Sequence, residues 1–206
     1  MKVLLINGSP KAFGNTAFAL SQMADVFASE GVETETIQVG NQLLHGCTGC
    51  GSCYKAHKCV FDDLVNTVAQ KLYEVDGIVV GSPVYYASPN GTLLSFLDRL
   101  FYSTGHIDKS MKVGAAIVCA RRGGCSASLD VLNKYFTISN MPVASSSYWN
   151  MIHGGKPGEA QQDAEGIRTM RNLAKNMSFL MQSISMGRDT LGLPVPEMKV
   201  FTNFIR

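Results

Sequence analysis

The sequence predicts a layered α/β domain built on a five-stranded parallel sheet, and two features of the chain support this. Short apolar runs alternate five times with longer segments of helical periodicity along the 206 residues. Several of these runs, such as VLLI, IVV and VGAAIV, are almost wholly apolar, as expected for strands that are covered on both faces. Strict alternation of strand and helix implies right-handed crossovers between parallel neighbours.

The five strand–helix units follow one another without a repeat or a second domain. Apolar runs predict strands at 2–7, 33–39, 77–81, 112–119 and 142–148. Helical periodicity predicts helices at 15–29, 63–73, 89–102, 126–137 and 158–185. Asn90 and Gly91 add a helix-start signal to the third unit, where Phe96, Asp98 and Arg99 are expected to be structural.

Five such units suit a flavodoxin-like, three-layer arrangement with the strand order 2-1-3-4-5. In that arrangement ligands bind beyond the carboxyl ends of the strands. Residues 1–188 are expected to form this domain, with a cysteine-rich insertion at 45–62 on the same side as the ligand crevice. The remaining residues, 189–206, contain Pro194 and Pro196 and are expected to form an irregular tail.

Charge and hydropathy narrow the class of protein. The net charge is +2, and no basic block is longer than Arg121–Arg122, so nucleic-acid binding gains no support. The N-terminal apolar run of about five residues is too short for a secretory signal. No stretch approaches the roughly 18 apolar residues of a membrane helix. We expect a cytoplasmic protein with no membrane partner, in which clustered cysteines bind metal or do redox work.

The loop after the first strand, NGSPKAFGNT at 7–16, has the composition of a phosphate cradle. A helix N-terminus supplies unpaired N–H groups and a positive dipole. Ser9, Asn15 and Thr16 can donate hydrogen bonds, and Lys11 adds a cation. An ordinary turn with a well-capped helix is the alternative.

Two further loops follow strands at the same edge. After the third strand, Tyr85 and Tyr86 would place aromatic faces at the mouth of the crevice, where a flat ring could pack; core or interface tyrosines are the alternative. After the fourth strand, CARRGGC at 119–125 combines two glycines with two arginines. Backbone N–H groups could approach an anionic ligand there, although a solvated loop is the alternative.

Together the three loops resemble the NADPH-dependent FMN reductase family. The matching motifs are GSP-K---GNT at 8–16, SPVYY------LLSFLDR at 82–99 and the glycine-bearing loop at 120–124. The resemblance implies an FMN-dependent oxidoreductase and assigns FMN-binding roles along all three loops. The residues implied are Ser9, Lys11, Gly14, Asn15 and Thr16 at the phosphate, Pro83, Val84, Tyr85 and Tyr86 against the isoalloxazine, and Ala120, Arg121, Gly123 and Gly124 at its other edge.

Four cysteines follow the second strand with the spacing C-x2-C-x2-C-x5-C, at Cys47, Cys50, Cys53 and Cys59. The first three resemble the opening of a bacterial ferredoxin motif. In a flavodoxin-like chain the segment resembles that of the iron–sulfur flavoproteins, which implies that all four thiolates bind one 4Fe–4S cluster. A zinc site and plain thiols or a local disulfide remain the alternatives.

The expected activity is electron transfer between a reductant, either NAD(P)H or ferredoxin, and an acceptor, either a small molecule or ferredoxin. His153 is a candidate proton donor or substrate-placing residue, although a structural histidine is the commoner case. Family precedent implies a homodimer or homotetramer with contacts at 89–104 and 140–155. The rival functions are a flavodoxin-like electron carrier, which would lack the cysteine motif, and a zinc-stabilised interaction module.

Overall fold

The computed structural model describes residues 1–198, 200–202 and 204. In it, a central sheet of parallel strands separates two layers of helices. The strands are β1 (Lys2–Asn7), β2 (Glu33–Gln38), β3 (Gly77–Tyr85), β4 (Ser88–Pro89), β5 (Val113–Ala120) and β6 (Met151–His153). The helices are α1 (Asn15–Ser29), α2 (Cys53–Ala56), α3 (Leu64–Lys71), α4 (Gly91–Ser103), α5 (Cys125–Thr137) and α6 (Ala164–Leu191). A short 3₁₀ helix spans Glu159–Gln162.

The strand order is β2-β1-β3-β5-β6, with every neighbouring pair parallel. This confirms the predicted flavodoxin-like order, because β4 is only a two-residue strand paired antiparallel with the end of β3. Leu4 on β1 pairs with Ile78 on β3, and Val79 pairs with Ala115 on β5. β1, β3 and β5 are the central strands, and their side chains are buried on both faces, as their apolar sequences predict.

Each face of the sheet has its own apolar core. Val68, Phe96 and Phe136, from α3, α4 and α5, pack on one face, and Cys59 of the cysteine segment contacts this core, as does Leu44 just before that segment. Residues of α1 and α6 pack on the opposite face. The cysteine segment therefore lies in the layer formed by α3, α4 and α5.

The prediction of a fifth strand at 142–148 is wrong. The fifth main strand is β6, and the predicted segment makes only an isolated bridge between Val143 and Gly114. The Ser146 hydroxyl donates to the Tyr148 carbonyl and bonds the Asn150 side chain, both at 2.7 Å, so side-chain hydrogen bonds turn the chain where the ladder would continue. His153 consequently lies in the last strand, whereas the prediction put it after that strand.

The last helix also differs from its predicted bounds. The predicted start at 158 is occupied by the 3₁₀ helix, and α6 begins after Asp163, whose carboxylate accepts from the Gly166 N–H. The helix continues to Leu191, six residues past the predicted end. The described residues beyond it lack regular structure, and the rest of the predicted tail lies outside the described residues. Among the helices described, none is long and apolar enough to cross a membrane.

Candidate functional site

The β1–α1 loop is held in place by side chains of two adjacent strands. The Asn7 carboxamide oxygen accepts from the Ser9 N–H at 3.0 Å, and its amide group donates to Gln38 at 2.7 Å. Gln38 in turn donates to the Ser9 carbonyl at 2.6 Å. The Ser9 hydroxyl accepts from the Lys11 N–H at 3.1 Å. The loop is therefore pre-shaped by the protein, which lowers the cost of ordering it around a ligand.

The loop leads into an uncapped helix N-terminus. The N-cap position of α1 is Gly14, and no side chain of the described residues caps its first turn. Thr16, in this turn, is buried, and Lys11 is exposed at the rim. Free N–H groups and the positive end of a helix dipole form an anion site, so the geometry suits the predicted phosphate.

The Asn15 side chain links the predicted phosphate loop to a distant part of the chain. Its amide group donates to the Lys156 carbonyl at 2.9 Å, and its oxygen accepts from the Ala160 N–H at 3.4 Å. Asn15 thus ties the start of α1 to the loop that follows β6. Its side chain positions the loop, and these bonds use one of its two amide N–H donors.

A glycine that the sequence interpretation missed lies under the same loop. A Cβ added to Gly40 would lie 2.2 Å from the Gly8 carbonyl oxygen and 2.2 Å from the Ser9 carbonyl carbon. Only glycine permits this approach, because both neighbours are backbone atoms that cannot rotate away. Gly40 follows the end of β2, and a lone glycine after a strand gave no signal beyond that of a turn.

The aromatic loop is a strained hairpin between β3 and β4. Its two central residues, Tyr86 and Ala87, both have left-handed backbone conformations, with φ of 51° and 59°. The Tyr86 side chain is fully exposed and that of Tyr85 about half exposed. A Cβ added to Gly124 would lie 2.7 Å from the Ala87 Cα, so the two loops predicted to flank the isoalloxazine are in contact. Strained backbone of this kind is concentrated at binding sites.

Replacing Ala87 with glycine is expected to stabilise the protein by about 1 kcal/mol, because the left-handed conformation costs alanine about that much relative to glycine. Denaturant unfolding of the FMN-free protein measures the change. As a control, Ala24→Gly in the middle of α1, where the backbone is helical, should cost about 1 kcal/mol. Equal destabilisation by both substitutions would contradict the strain in this hairpin.

The third loop lies beside His153. The His153 N–H donates to Asp163 at 2.6 Å, and its ring Nδ1 lies 3.3 Å from the Ala120 carbonyl oxygen. The ring is therefore held at the end of β5. Across from Arg121, Glu159 accepts from the Lys156 and Gly155 N–H groups, and these hydrogen bonds lower the pKa of its carboxyl group.

The four cysteines of the motif line one pocket with about 330 Å³ of empty space, including its solvent-open part. Cys47 and Cys50 are exposed, whereas Cys53 and Cys59 are half-buried. Gly49 and Gly51, which separate the first three cysteines, have left-handed backbones with φ of 66° and 70°. These turns fold the segment back on itself and let three successive cysteines face one space.

The thiols of this pocket influence one another. Burial raises the pKa of Cys53, and the negative charges of Cys50, Cys59 and Cys47 add to that rise. Hydrogen bonds from the Ser52 hydroxyl and N–H lower the pKa of Cys50. Among the described residues, no group of three or more His, Cys, Asp or Glu side chains is arranged to hold a metal ion.

Arg99 of α4 forms the floor of this pocket and is only 1% exposed. Its guanidinium pairs with both Asp63 oxygens, at 2.7 and 3.0 Å, and lies over the Phe61 ring at 5.0 Å. It also donates to the Phe61 and His45 carbonyls at 3.2 and 3.3 Å, and its Nε lies 3.2 Å from the Cys59 sulfur. The prediction that Arg99 is structural missed this link to the cysteines. An arginine among the apolar residues of α4 was the available signal, since a buried charge needs partners.

Sequence comparison assigns the family. A model of the NADPH-dependent FMN reductase family matches residues 1–156. The chain belongs to this family. An iron–sulfur flavoprotein of Methanocaldococcus jannaschii is 32% identical over 191 residues, covering 89% of this chain and 99% of the relative. One from Archaeoglobus fulgidus is 36% identical, covering 86% of this chain and 94% of the relative. The chain is therefore an FMN reductase family member of the iron–sulfur flavoprotein type.

Solved structures support the fold independently. An NADH:FMN oxidoreductase in its apo form superposes with a TM-score of 0.62 at 18% identity, covering 88% of this chain and 89% of the other. A flavodoxin from the domain Archaea gives a TM-score of 0.56 at 18% identity, covering 86% and 99%. These two likenesses show a flavodoxin-like fold, and the family match makes the chain an FMN-dependent oxidoreductase.

The two cysteines outside the motif, Cys119 and Cys125, are buried at the ends of the third predicted FMN-binding loop. Burial raises the pKa of Cys119 to about 12 and also raises that of Cys125. We therefore expect iodoacetamide at pH 7.5 to label Cys50 before Cys53 in the reduced, metal-free protein and to spare Cys119 and Cys125. Peptide mass spectrometry reads the order, and a urea-unfolded sample, in which all six thiols react, is the control. Early labelling of Cys125 would show that its thiol is accessible and reactive.

Proposed function

We propose that this FMN-dependent oxidoreductase carries one 4Fe–4S cluster on Cys47, Cys50, Cys53 and Cys59 and passes electrons between FMN and a redox protein such as ferredoxin. The observation that carries the proposal is the single pocket lined by all four thiols. Relatives of about one-third identity that are named iron–sulfur flavoproteins support it.

The four thiols that line one pocket could bind either a cluster or a zinc ion. Structural zinc sites more usually come as two separated C-x2-C pairs, which this segment lacks. That spacing and the relatives named iron–sulfur flavoproteins support the cluster over the zinc-stabilised interaction module.

The residues that would hold FMN are already arranged around an anion site. The uncapped start of α1 and the Ser9 loop would take the phosphate, with Lys11 at the rim. Tyr85 and the loop at 120–124 would contact the flavin ring. When bound, FMN exchanges electrons in pairs or singly and the cluster exchanges them one at a time, so together they would connect two-electron and one-electron partners.

The third loop, at 119–125, and the neighbouring His153 would stabilise charge and transfer protons at the flavin. Arg121 and the backbone N–H groups of residues 121–124 would stabilise the negative charge of reduced FMN. His153, held between Asp163 and the Ala120 carbonyl, would place a small-molecule acceptor or donate a proton to it.

The cluster proposal is tested by anaerobic purification, an absorption spectrum and analysis of iron, sulfide and zinc. We expect FMN together with about four irons and four sulfides per chain. Cys50→Ser should lose iron and keep FMN, whereas Cys125→Ser, outside the motif, should keep both. FMN without iron in the anaerobic wild-type protein would remove the cluster, and stoichiometric zinc would favour the interaction module.

Direct reduction by NAD(P)H is the second candidate function, and membership of a family of NADPH-dependent reductases favours it. Stopped-flow mixing of the oxidised protein with NADPH, NADH or reduced ferredoxin separates the two. Rapid flavin bleaching by ferredoxin alone supports the electron-relay proposal. Rapid bleaching by a pyridine nucleotide, retained in Cys50→Ser, supports direct hydride transfer to FMN.

We also propose that the chain forms a homodimer or homotetramer through the 89–104 helix and the 140–155 loop. Tyr148 and Trp149 of that loop are 54% and 60% exposed, which suits an interface. Sedimentation velocity of the FMN-loaded protein would show the assembly. A wild-type monomer at micromolar concentration would contradict it.

A further inference from the structure

Cys59 is held differently from the other cysteines of the pocket. The Arg99 Nε donates to its sulfur at 3.2 Å. Its backbone is also fixed, because the Cys59 N–H donates to the Asn66 side chain at 2.9 Å and its carbonyl accepts from the same side chain at 3.1 Å. Cys47 and Cys50, by contrast, are exposed. One of the four thiols is therefore anchored at both its backbone and its sulfur.

The donor to that sulfur is a charged group in an enclosed site. Arg99 is 1% exposed, and among the residues that the structure describes its charge is paired with one carboxylate, that of Asp63, whose side chain is 26% exposed. Charge-assisted hydrogen bonds are stronger than neutral ones, and low local dielectric strengthens them further. Arg99 therefore favours negative charge on the Cys59 sulfur and on anything bonded to it.

We propose that Arg99 is a positioning residue that acts through Cys59 to raise the reduction potential of the cluster, and this inference rests on the proposed function. Reduction adds one electron and so increases the negative charge on the iron and sulfur atoms. Hydrogen bonds to the ligand sulfurs stabilise the reduced form more than the oxidised form. Removing this donor must therefore make the cluster harder to reduce.

Lysine cannot reproduce this arrangement. The planar guanidinium uses its Nη groups for Asp63 and two carbonyls while Nε reaches the sulfur. A lysine ammonium is a point charge with three donors and cannot occupy all these positions at once. Arg99→Lys therefore keeps the charge and removes the hydrogen bond to the Cys59 sulfur.

Potentiometric titration of the anaerobic protein, followed by electron paramagnetic resonance, tests the inference. In Arg99→Lys we expect the equilibrium constant for one-electron reduction to fall about tenfold, a shift of about 59 mV to more negative potential. Arg171→Lys is the matched control, because Arg171 bonds Gln22 on the opposite face of the sheet. Its potential should equal that of the wild type.

A second variant separates electrostatics from simple loosening of the pocket. Asp63→Asn keeps Arg99 and removes the carboxylate that neutralises it, so the potential should shift in the positive direction. If Arg99→Lys does not retain iron, the positive shift in Asp63→Asn decides in favour of the inference. Unchanged potentials in both variants, or a negative shift in Asp63→Asn, would overturn it and leave the cluster proposal standing. Absence of iron from the anaerobic wild type would overturn both.

Discussion

Replacing Gly40 with alanine is expected to destabilise the domain by about 3 kcal/mol and to weaken FMN binding by roughly tenfold or more. The new Cβ would lie 2.2 Å from the Gly8 carbonyl oxygen, 2.2 Å from the Ser9 carbonyl carbon and 2.4 Å from the Ser9 oxygen. These are backbone atoms of the phosphate loop, so the loop itself must move. Since Gln38 and Asn7 hold that loop through Ser9, the movement also breaks the network that shapes it.

Denaturant unfolding with and without FMN, together with fluorescence titration of FMN, measures both effects. Gly91→Ala is the matched control, because a Cβ added there meets nothing within 4 Å. That variant should fold and bind FMN as the wild type does. Wild-type FMN affinity in Gly40→Ala would contradict the assignment of the β1–α1 loop to the phosphate.

The second large effect is expected at Asp63, where alanine should cost about 4 kcal/mol of unfolding free energy. Removing one partner of an ion pair leaves the other charge buried and uncompensated, here on Arg99. The same carboxylate caps α3 by accepting from the Val65 N–H at 3.0 Å, so alanine also loses a helix cap. The Asp63 side chain therefore stabilises the folded protein in two ways, through the ion pair and through the helix cap.

The two contributions can be separated by variants of the same segment. Asp63→Asn retains one oxygen that can cap α3 but loses the charge and one of the two oxygens that accept from Arg99, so it should cost about 1 kcal/mol less than alanine. Asp62→Ala, at the exposed neighbouring position, should change stability by less than about 0.5 kcal/mol. Urea unfolding of the metal-free protein gives all three values. Equal stabilities of Asp63→Ala and Asp62→Ala would mean that Arg99 finds other compensation.

Local sequence predicts most of the fold because the central strands are apolar along their whole length. The strand order follows from five consecutive strand–helix units and needs no long-range information. The fifth strand was misplaced because its sequence signal is weak. The true strand, Met151–His153, is only three residues long, and the hydrogen bonds of Ser146 turn the chain just before it begins.

The sequence predicted which residues of one contiguous motif lie together, but it did not predict contacts between distant residues. The cysteine spacing predicted a common pocket, and four thiols line one. The contact between Gly40 and the phosphate loop, and that between Arg99 and Cys59, join segments about 30 to 40 residues apart. Periodicity does not report such contacts, because they depend on how elements pack after they form.

The hydrogen bonds of Arg99 to the carbonyls of His45 and Phe61 bring together the two ends of the cysteine segment. The two ends of the segment are therefore held close together on the domain. Doubling the length of the loop between them would cost only about 0.6 kcal/mol of loop-closure entropy. Changes in the stretch around the exposed Cys47 and Cys50 should leave the sheet in place, whereas Cys59 also contacts the core. The exposed part of the cysteine segment, and with it the proposed cluster site, could therefore vary in length without a change in the sheet that carries it.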